Sequence, residues 1–448
     1  MDVTHSRTIP GHRRADGPQS ADGPQSPGGP QSPGGPARAV AARACAEVPA
    51  PAGVLSRAMR LEAMLGDPRD PANPYGFAAL AGGAADAGPL WAAAAPGDGA
   101  PDDPEQLARV LRPLFRRDLD LGLGCIRRAP AARDGAVAAG AEQLLGVAAL
   151  TGSTAAVLRT AAGAVAGRAR HDPGARQWHT VLAAAFADLL ACEALTAVAL
   201  RCAVPGALGH RSVSGAVGHA VPAVLAEVLA ELDLVLTESG AGAVERRMLD
   251  SAAGGVRVAA ARTAEAGLRA LAAGLPGPAG PAPRPAGPGA QALFRLGTAV
   301  VDPAGQAGAD TVLPATLAGA ADALNGEGTK AAAALRRMAR RLAAEQRVLH
   351  RACRDADPHD VHAPATRALA DRQALLLMSA AVLGVRQAAG GSLADPHWAL
   401  LALSRAAARL GVPQPGTGVD PQEQVWAQLT DRCRRTVDCD VYGTQVLW

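Results

Sequence analysis

The sequence predicts an all-α fold, and three observations carry the prediction. Hydrophobic residues make up 49% of the 448-residue chain while aromatic residues are only 2%, so alanine supplies much of the apolar share. Alanine favours helix, and alanine-lined helix faces pack closely. Long stretches repeat apolar residues at intervals of three and four, the helical period. Finally, the 51 glycines and 35 prolines concentrate in tails and linkers rather than breaking those stretches. Strands favour aromatic and β-branched side chains, and the scarcity of aromatics argues against a strand-built core.

The elements follow in order. Residues 1–50 read as a Pro/Gly-rich disordered tail, because Ala15 to Pro36 is a degenerate six-residue repeat (ADGPQS, then PGGPQS) with no large apolar side chain to bury. A first helical segment, 51–125, opens with VLSRAMRLEAML and is stopped by GDPRDPANPYGF. Its second helix, Pro104 to Phe115, carries Asp103 and Glu105 at the start and Arg116 and Arg117 at the end, the polarity that suits a helix dipole. The stretch 140–273 is almost continuous helical pattern, broken near Arg170 to Ala175 and Pro205 to Gly209, and fits three or four long helices. Residues 274–289, GLPGPAGPAPRPAGPG, read as an interdomain linker. A second helical block, 290–448, includes Leu335 to Asp355, where Met338, Leu342 and Leu349 share one face and Arg336, Arg340, Arg347, Arg351 and Arg354 the other. One more helix is expected in the tail from Gly411 to Trp448.

Charge and cysteine usage exclude some classes. With 44 basic and 41 acidic residues the net charge is +3, which gives no electrostatic footprint for nucleic acid. Lys330 is the only lysine, so the abundance of arginine reflects composition more than a demand for guanidinium forks. Seven cysteines without a CxxC pair imply neither a disulfide framework nor a zinc site. The N-terminus lacks the apolar run of a signal peptide, and the most apolar stretch, Val181 to Leu200, contains Asp188 and Glu193. A cytoplasmic protein with no membrane span is therefore expected.

Three motifs stand out and each has a plain structural reading. DLDLGLGC (Asp118 to Cys125) lacks the third glycine of a dinucleotide fingerprint. HRSVSGAVGH (His210 to His219) sets serines between histidines but has no nucleophile elbow, so a helix-capping loop is expected. His350, Cys353, Asp355, Asp357, His359, Asp360 and His362 are metal-type donors at a spacing that matches no known site, so no metal is expected.

Glu238 to Ala252, ESGAGAVERRMLDSA, resembles a signature of the acyl-CoA dehydrogenase family, with Gly240 and Gly242 in the turn and Val244, Glu245, Arg246, Asp250 and Ala252 matching. Leu249 stands where that family has a second arginine. AAGAVAGR, ending at Arg168, followed by Gln177 and an apolar helix, is similar to the family's helix pair, and LEAMLGDPRDPANPYGFAAL and LRPLFRRDLDLGLG extend the likeness toward the N-terminus. The resemblance implies helical-bundle domains of that type with an extra C-terminal helical block. It also implies FAD as cofactor, an acyl-CoA or acyl-carrier-protein thioester as substrate, and a homo-oligomer or a hetero-oligomer with a related subunit. In the family a glutamate takes the α proton while hydride passes from the β carbon to flavin N5. Arg168 and Gln177 would then contact the FAD diphosphate or ribose, and Gly240 and Gly242 would let the backbone approach the ADP part. Two departures stand beside this. About sixteen residues between Cys125 and Glu142 replace the family's middle β domain, too few for a barrel. No catalytic carboxylate is identified, LLGVAALTGSTAAV having none. The alternative is a non-catalytic helical interaction or scaffold protein that descends from the same fold.

Overall fold

Alanine-rich amphipathic segments leave the chain few ways to bury its apolar faces other than helix against helix. The computed structural model describes residues 51–447 except 84–85, 96–102, 129–134, 170–171, 204–209, 277–287, 299–307, 354–359, 361, 415 and 417. The expected tail, most of the expected linker, and Asp355, Asp357 and His359 lie outside the described residues. Among the described residues there are fourteen α-helices and no strand, only an isolated bridge between Val437 and Gln445.

The N-terminal segment comprises α1 (Ala52–Leu65), α2 (Phe77–Ala81), α3 (Gly88–Ala94), α4 (Pro104–Arg117) and α5 (Leu119–Arg128). Gly66, in left-handed backbone at φ +58°, ends α1, and the Asn73 amide then donates to the Leu65 carbonyl at 2.6 Å. Asp103 caps α4 by accepting from the Gln106 N–H at 2.8 Å, with Pro104 in the first turn. The motif DLDLGLGC is helical in α5, where a Cβ on Gly122 would sit 2.5 Å from the Phe115 ring. Gly122 serves close packing, whereas a Cβ on Gly124 would meet nothing nearer than 3.5 Å.

Four long helices follow: α6 (Gly135–Arg168), α7 (Trp178–Cys202), α8 (Arg211–Glu238) and α9 (Ala243–Ala273). The axis of the molecule is α7, buried at every position from Leu182 to Cys202 and packed by α4, α6 and α8. The pair α8 and α9 packs closely where a Cβ on Gly267 would lie 2.7 Å from the Gly215 carbonyl. The serine–histidine segment is the first turns of α8 instead of a loop. Its exposed N–H groups are capped from far away, Ser212 and Val213 donating to the Asp310 carboxylate at 3.2 and 3.0 Å.

The later helices are α10 (Ala309–Ala323), α11 (Lys330–Ala352), α12 (Pro364–Ala388), α13 (Pro396–Arg409) and α14 (Gln422–Arg434). Helix α11 buries Met338, Leu342 and Leu349 and leaves Arg340, Arg347 and Arg351 in water, as its periodicity predicts, while Arg336 is half-buried and donates to the Asn325 side chain at 3.0 Å and Arg354 lies outside the described residues. Helices before and after residues 277–287 share one hydrophobic core: α12 packs on α7 and α8, and α13 on α7. Asp188 of α7, 1% exposed, binds Arg405 at 2.5 Å and Arg409 at 2.6 Å from α13. The ring of His179 stacks on Trp426 at 4.2 Å, seating α14 on the start of α7.

The expectation of a cytoplasmic chain with no membrane span is corrected here. Three helices, over 140–168, 174–202 and 364–388, are long and apolar enough to cross a membrane, with mean hydropathy 1.4, 1.9 and 1.4 in their best windows. Isolated acids such as Asp188 and Glu193 do not lower a run of alanine, leucine and valine below that level. In the fold the same windows are 83, 94 and 72% buried, so their apolar surface faces neighbouring helices.

Candidate functional site

The turn between α8 and α9 is where the resemblance concentrates, and its glycines have clear local work. Gly240, at φ +68°, closes α8: its N–H donates to the Thr237 carbonyl, and the Ala241 N–H reaches the Leu236 carbonyl at 3.0 Å. Gly242 is the extended residue before α9. Both glycines line a cleft of about 770 Å³ bounded by α1, α4, α6 and the start of α9.

The cleft lining mixes charges, with Arg69, Arg116, Arg117 and Arg159 beside Glu62, Asp67 and Glu245. Arg117 gives its guanidinium hydrogens to three main-chain carbonyls, Leu65 at 2.9 Å, Tyr75 at 2.7 Å and Gly66 at 2.6 Å. Burial pulls its pKa down to about 10, the response of a cation held by dipoles more than by a counter-charge. Arg159 donates to the Val437 carbonyl at 2.8 Å. Arg116, in contrast, is balanced by Glu62 at 2.8 Å and Asp438 at 3.1 Å. The N-terminus of the 31-residue α9 adds its dipole to the same space. Two arginines bonded to carbonyls thus stand beside a helix start whose first turn carries Glu245.

Of the four residues the resemblance names, Gly240 and Gly242 are in the cleft wall, and Arg168 is joined to the same turn. Its guanidinium donates to the Glu238 carbonyl and lies 3.4 Å from Asp172, so it braces the turn from outside. Gln177 is exposed at the N-cap of α7 and does not line the cleft. No family, curated protein or solved structure matches the chain.

Beside the cleft, α5, α6 and α9 enclose an apolar groove of about 640 Å³ walled by Leu119, Leu123, Ile126, Val147, Leu150 and Val258. Asp120, Glu142 and Asp250 stand on its lining. A small hollow lies between the two spaces, sharing Phe77, Arg116, Arg117 and Met248 with the cleft and Leu119 and Ser251 with the groove. Arg117 and Arg159 are the cleft residues that could meet the phosphates of a nucleotide cofactor, and the neighbouring groove is the apolar space beside them. Among the described residues no sheet stands over either.

A buried ion network continues inward from Arg116. Arg112 binds Glu193 at 2.6 Å and Asp438 at 2.9 Å, all three almost fully buried. Asp438 belongs to a C-terminal strap, residues 435–447, that Arg432 holds through the Asp438 and Asp440 carbonyls at 3.1 and 2.5 Å. The Leu447 N–H donates to Glu62 at 3.2 Å, and Val446 reaches the cleft. Burial drives the Glu193 carboxyl up to about 7 against the attraction of Arg112. Burial also pushes Asp438 upward, but Arg112 and Arg116 outweigh it and hold that carboxyl below its ordinary range. Sequence reading missed this network because its partners are 81 and 326 residues apart. The one local sign was a pair of acids around a cysteine, DCD, just before the final VYGTQVLW.

Proposed function

We propose that this chain is an acyl-CoA dehydrogenase-like flavoprotein that holds FAD phosphates at the arginines of the cleft and the acyl part of a thioester in the apolar groove. The observation that carries this reading is the adjacency of the two spaces, one with Arg117 and Arg159 on its lining and one largely apolar, with a small hollow between them at Arg117 and Leu119. Arg117 and Arg159 neutralise the diphosphate, and Gly240 and Gly242 admit the backbone close to it. When bound, FAD supplies the acceptor for a hydride. Proton abstraction needs a carboxylate within reach of the α carbon, and the carboxylates on the groove are Asp120, Glu142 and Asp250. Leu119, Leu123 and Val147 exclude water from the chain.

The second reading, a helical scaffold that has kept the packing and lost the chemistry, draws support from the local duties already found for Gly240 and Arg168. The visible spectrum after incubation with FAD and desalting separates the two. The flavoprotein reading expects a retained flavin band that Arg159→Ala weakens about tenfold or more in FAD affinity, the loss of one charge-assisted contact, together with bleaching by an acyl-CoA. A folded, colourless protein overturns it and leaves the scaffold.

A further inference from the structure

One face of α11 carries more charge than the fold uses. Arg337, Arg340, Arg341, Arg347 and Arg351 are all exposed, and exposed Lys330 opens the same helix. At the helical period these five arginines fan through about 120° of the helix surface and run about 21 Å along it. Val348 lies within the fan and is 40% exposed. The opposite face is fixed in the core by Met338, Leu342 and Leu349, so the arginines are held outward together.

Neighbouring acids do not cancel this charge. Glu345, the one carboxylate on α11, is mostly buried, binds Arg372 at 2.9 Å and lies 3.5 Å from Arg341. Glu327, in the turn before the helix, is held by Arg386 at 2.5 Å, and Asp322 is exposed at the end of α10. Among the described residues Arg340, Arg347 and Arg351 make no ion pair and no side-chain hydrogen bond. Other exposed arginines differ: Arg246 pairs with Asp233, Arg269 with Glu265, and Arg434 and Arg435 with Asp431. In a chain whose net charge is only +3, the excess on α11 is local.

We propose that α11 docks the protein on an anionic lipid surface without inserting into it. A cluster of this size on an amphipathic helix suits acidic headgroups, each charge near such a surface strengthening binding roughly fivefold. The fan decides between partners. A bilayer is a broad, deformable layer of phosphates that all rows of the fan can meet at once, whereas a rigid acidic helix meets only one row. Val348, set among the arginines, adds a small apolar contact at headgroup level. The three apolar windows over 140–168, 174–202 and 364–388 stay packed inside the fold, so the attachment is electrostatic and reversible. The proposal stands apart from any ligand in the cleft.

The test is co-sedimentation of the full-length protein with vesicles of phosphatidylcholine, alone or mixed with phosphatidylglycerol, at low and high salt. Binding is expected only to the mixed vesicles, with release of folded protein in high salt, which shortens the range of the attraction. The combined variant Arg340→Glu, Arg347→Glu and Arg351→Glu should lose about 100-fold or more in affinity. A control with the same change in net charge, Arg60→Glu, Arg211→Glu and Arg257→Glu, alters exposed arginines on α1, α8 and α9 and should retain most of the binding. Failure to bind the mixed vesicles would overturn the proposal and leave the stripe to an acidic protein. So would equal losses in the two variants, which would make net charge the cause, or protein that only detergent releases, which would mean insertion. The wild-type lipid and salt dependence decides this even if a variant fails to fold.

Discussion

At the scale of single residues, the buried acids split by their surroundings. Glu193 is raised to about 7 from 4.5 because burial exceeds the pull of Arg112, so between those values the folded state holds a proton that the unfolded chain has released. Stability from this group is therefore fully present below about pH 4.5, falls as pH rises, and is level above about 7, with a slope of up to about 1.4 kcal/mol per pH unit. Glu193→Gln keeps an acceptor for Arg112 and removes the titration. Denaturant midpoints across this range should show the variant gaining on the wild type as pH rises, and parallel curves would refute the assignment. Asp438 has the opposite sign and is lost only in stronger acid, since its folded carboxyl is held below the ordinary value. None of this was legible beforehand: burial and an arginine 81 residues distant decide it.

At the scale of elements, periodicity was a good guide wherever one face is wet. The helix 330–352 and the dipole-matched helix 104–117 were readable from their charges. The short helices 77–81 and 88–94 were not, because one turn or two carry too little pattern. Nor was the start of the helix at Arg211, whose cap comes from Asp310. Close approach of the α8–α9 pair depends on glycines that meet main chain, and Gly267→Val should cost about 1–3 kcal/mol through overpacking. Gly167, near the end of α6 with open space about it, is the contrast: Gly167→Ala should gain roughly 0.5–1 kcal/mol by helix propensity. Urea titrations of both variants check the pair, and equal effects would show that contact does not set the cost.

At the scale of the whole molecule, composition announced a helical protein and a proline-rich boundary, but it carried no sign that helices on both sides would enclose α7 together. Asp188 joined to Arg405 and Arg409, and the stacked His179 and Trp426, hold the later helices to the earlier ones. A protease site inserted within 277–287 and then cut should leave two fragments that co-elute in gel filtration, while Asp188→Ala should loosen them; separate elution of the unaltered pair would contradict a shared core. The glycines of the candidate cleft were visible in the sequence as a turn, whereas Arg117 and Arg159 became a pair only through folding. The strap has a further consequence in time. Arg112 leaves the ribosome 326 residues ahead of Asp438, a delay of about 15–65 s at ordinary elongation rates. During that interval the nascent bundle carries cations whose last counter-charge has yet to be synthesised, so completion of the core is tied to completion of translation.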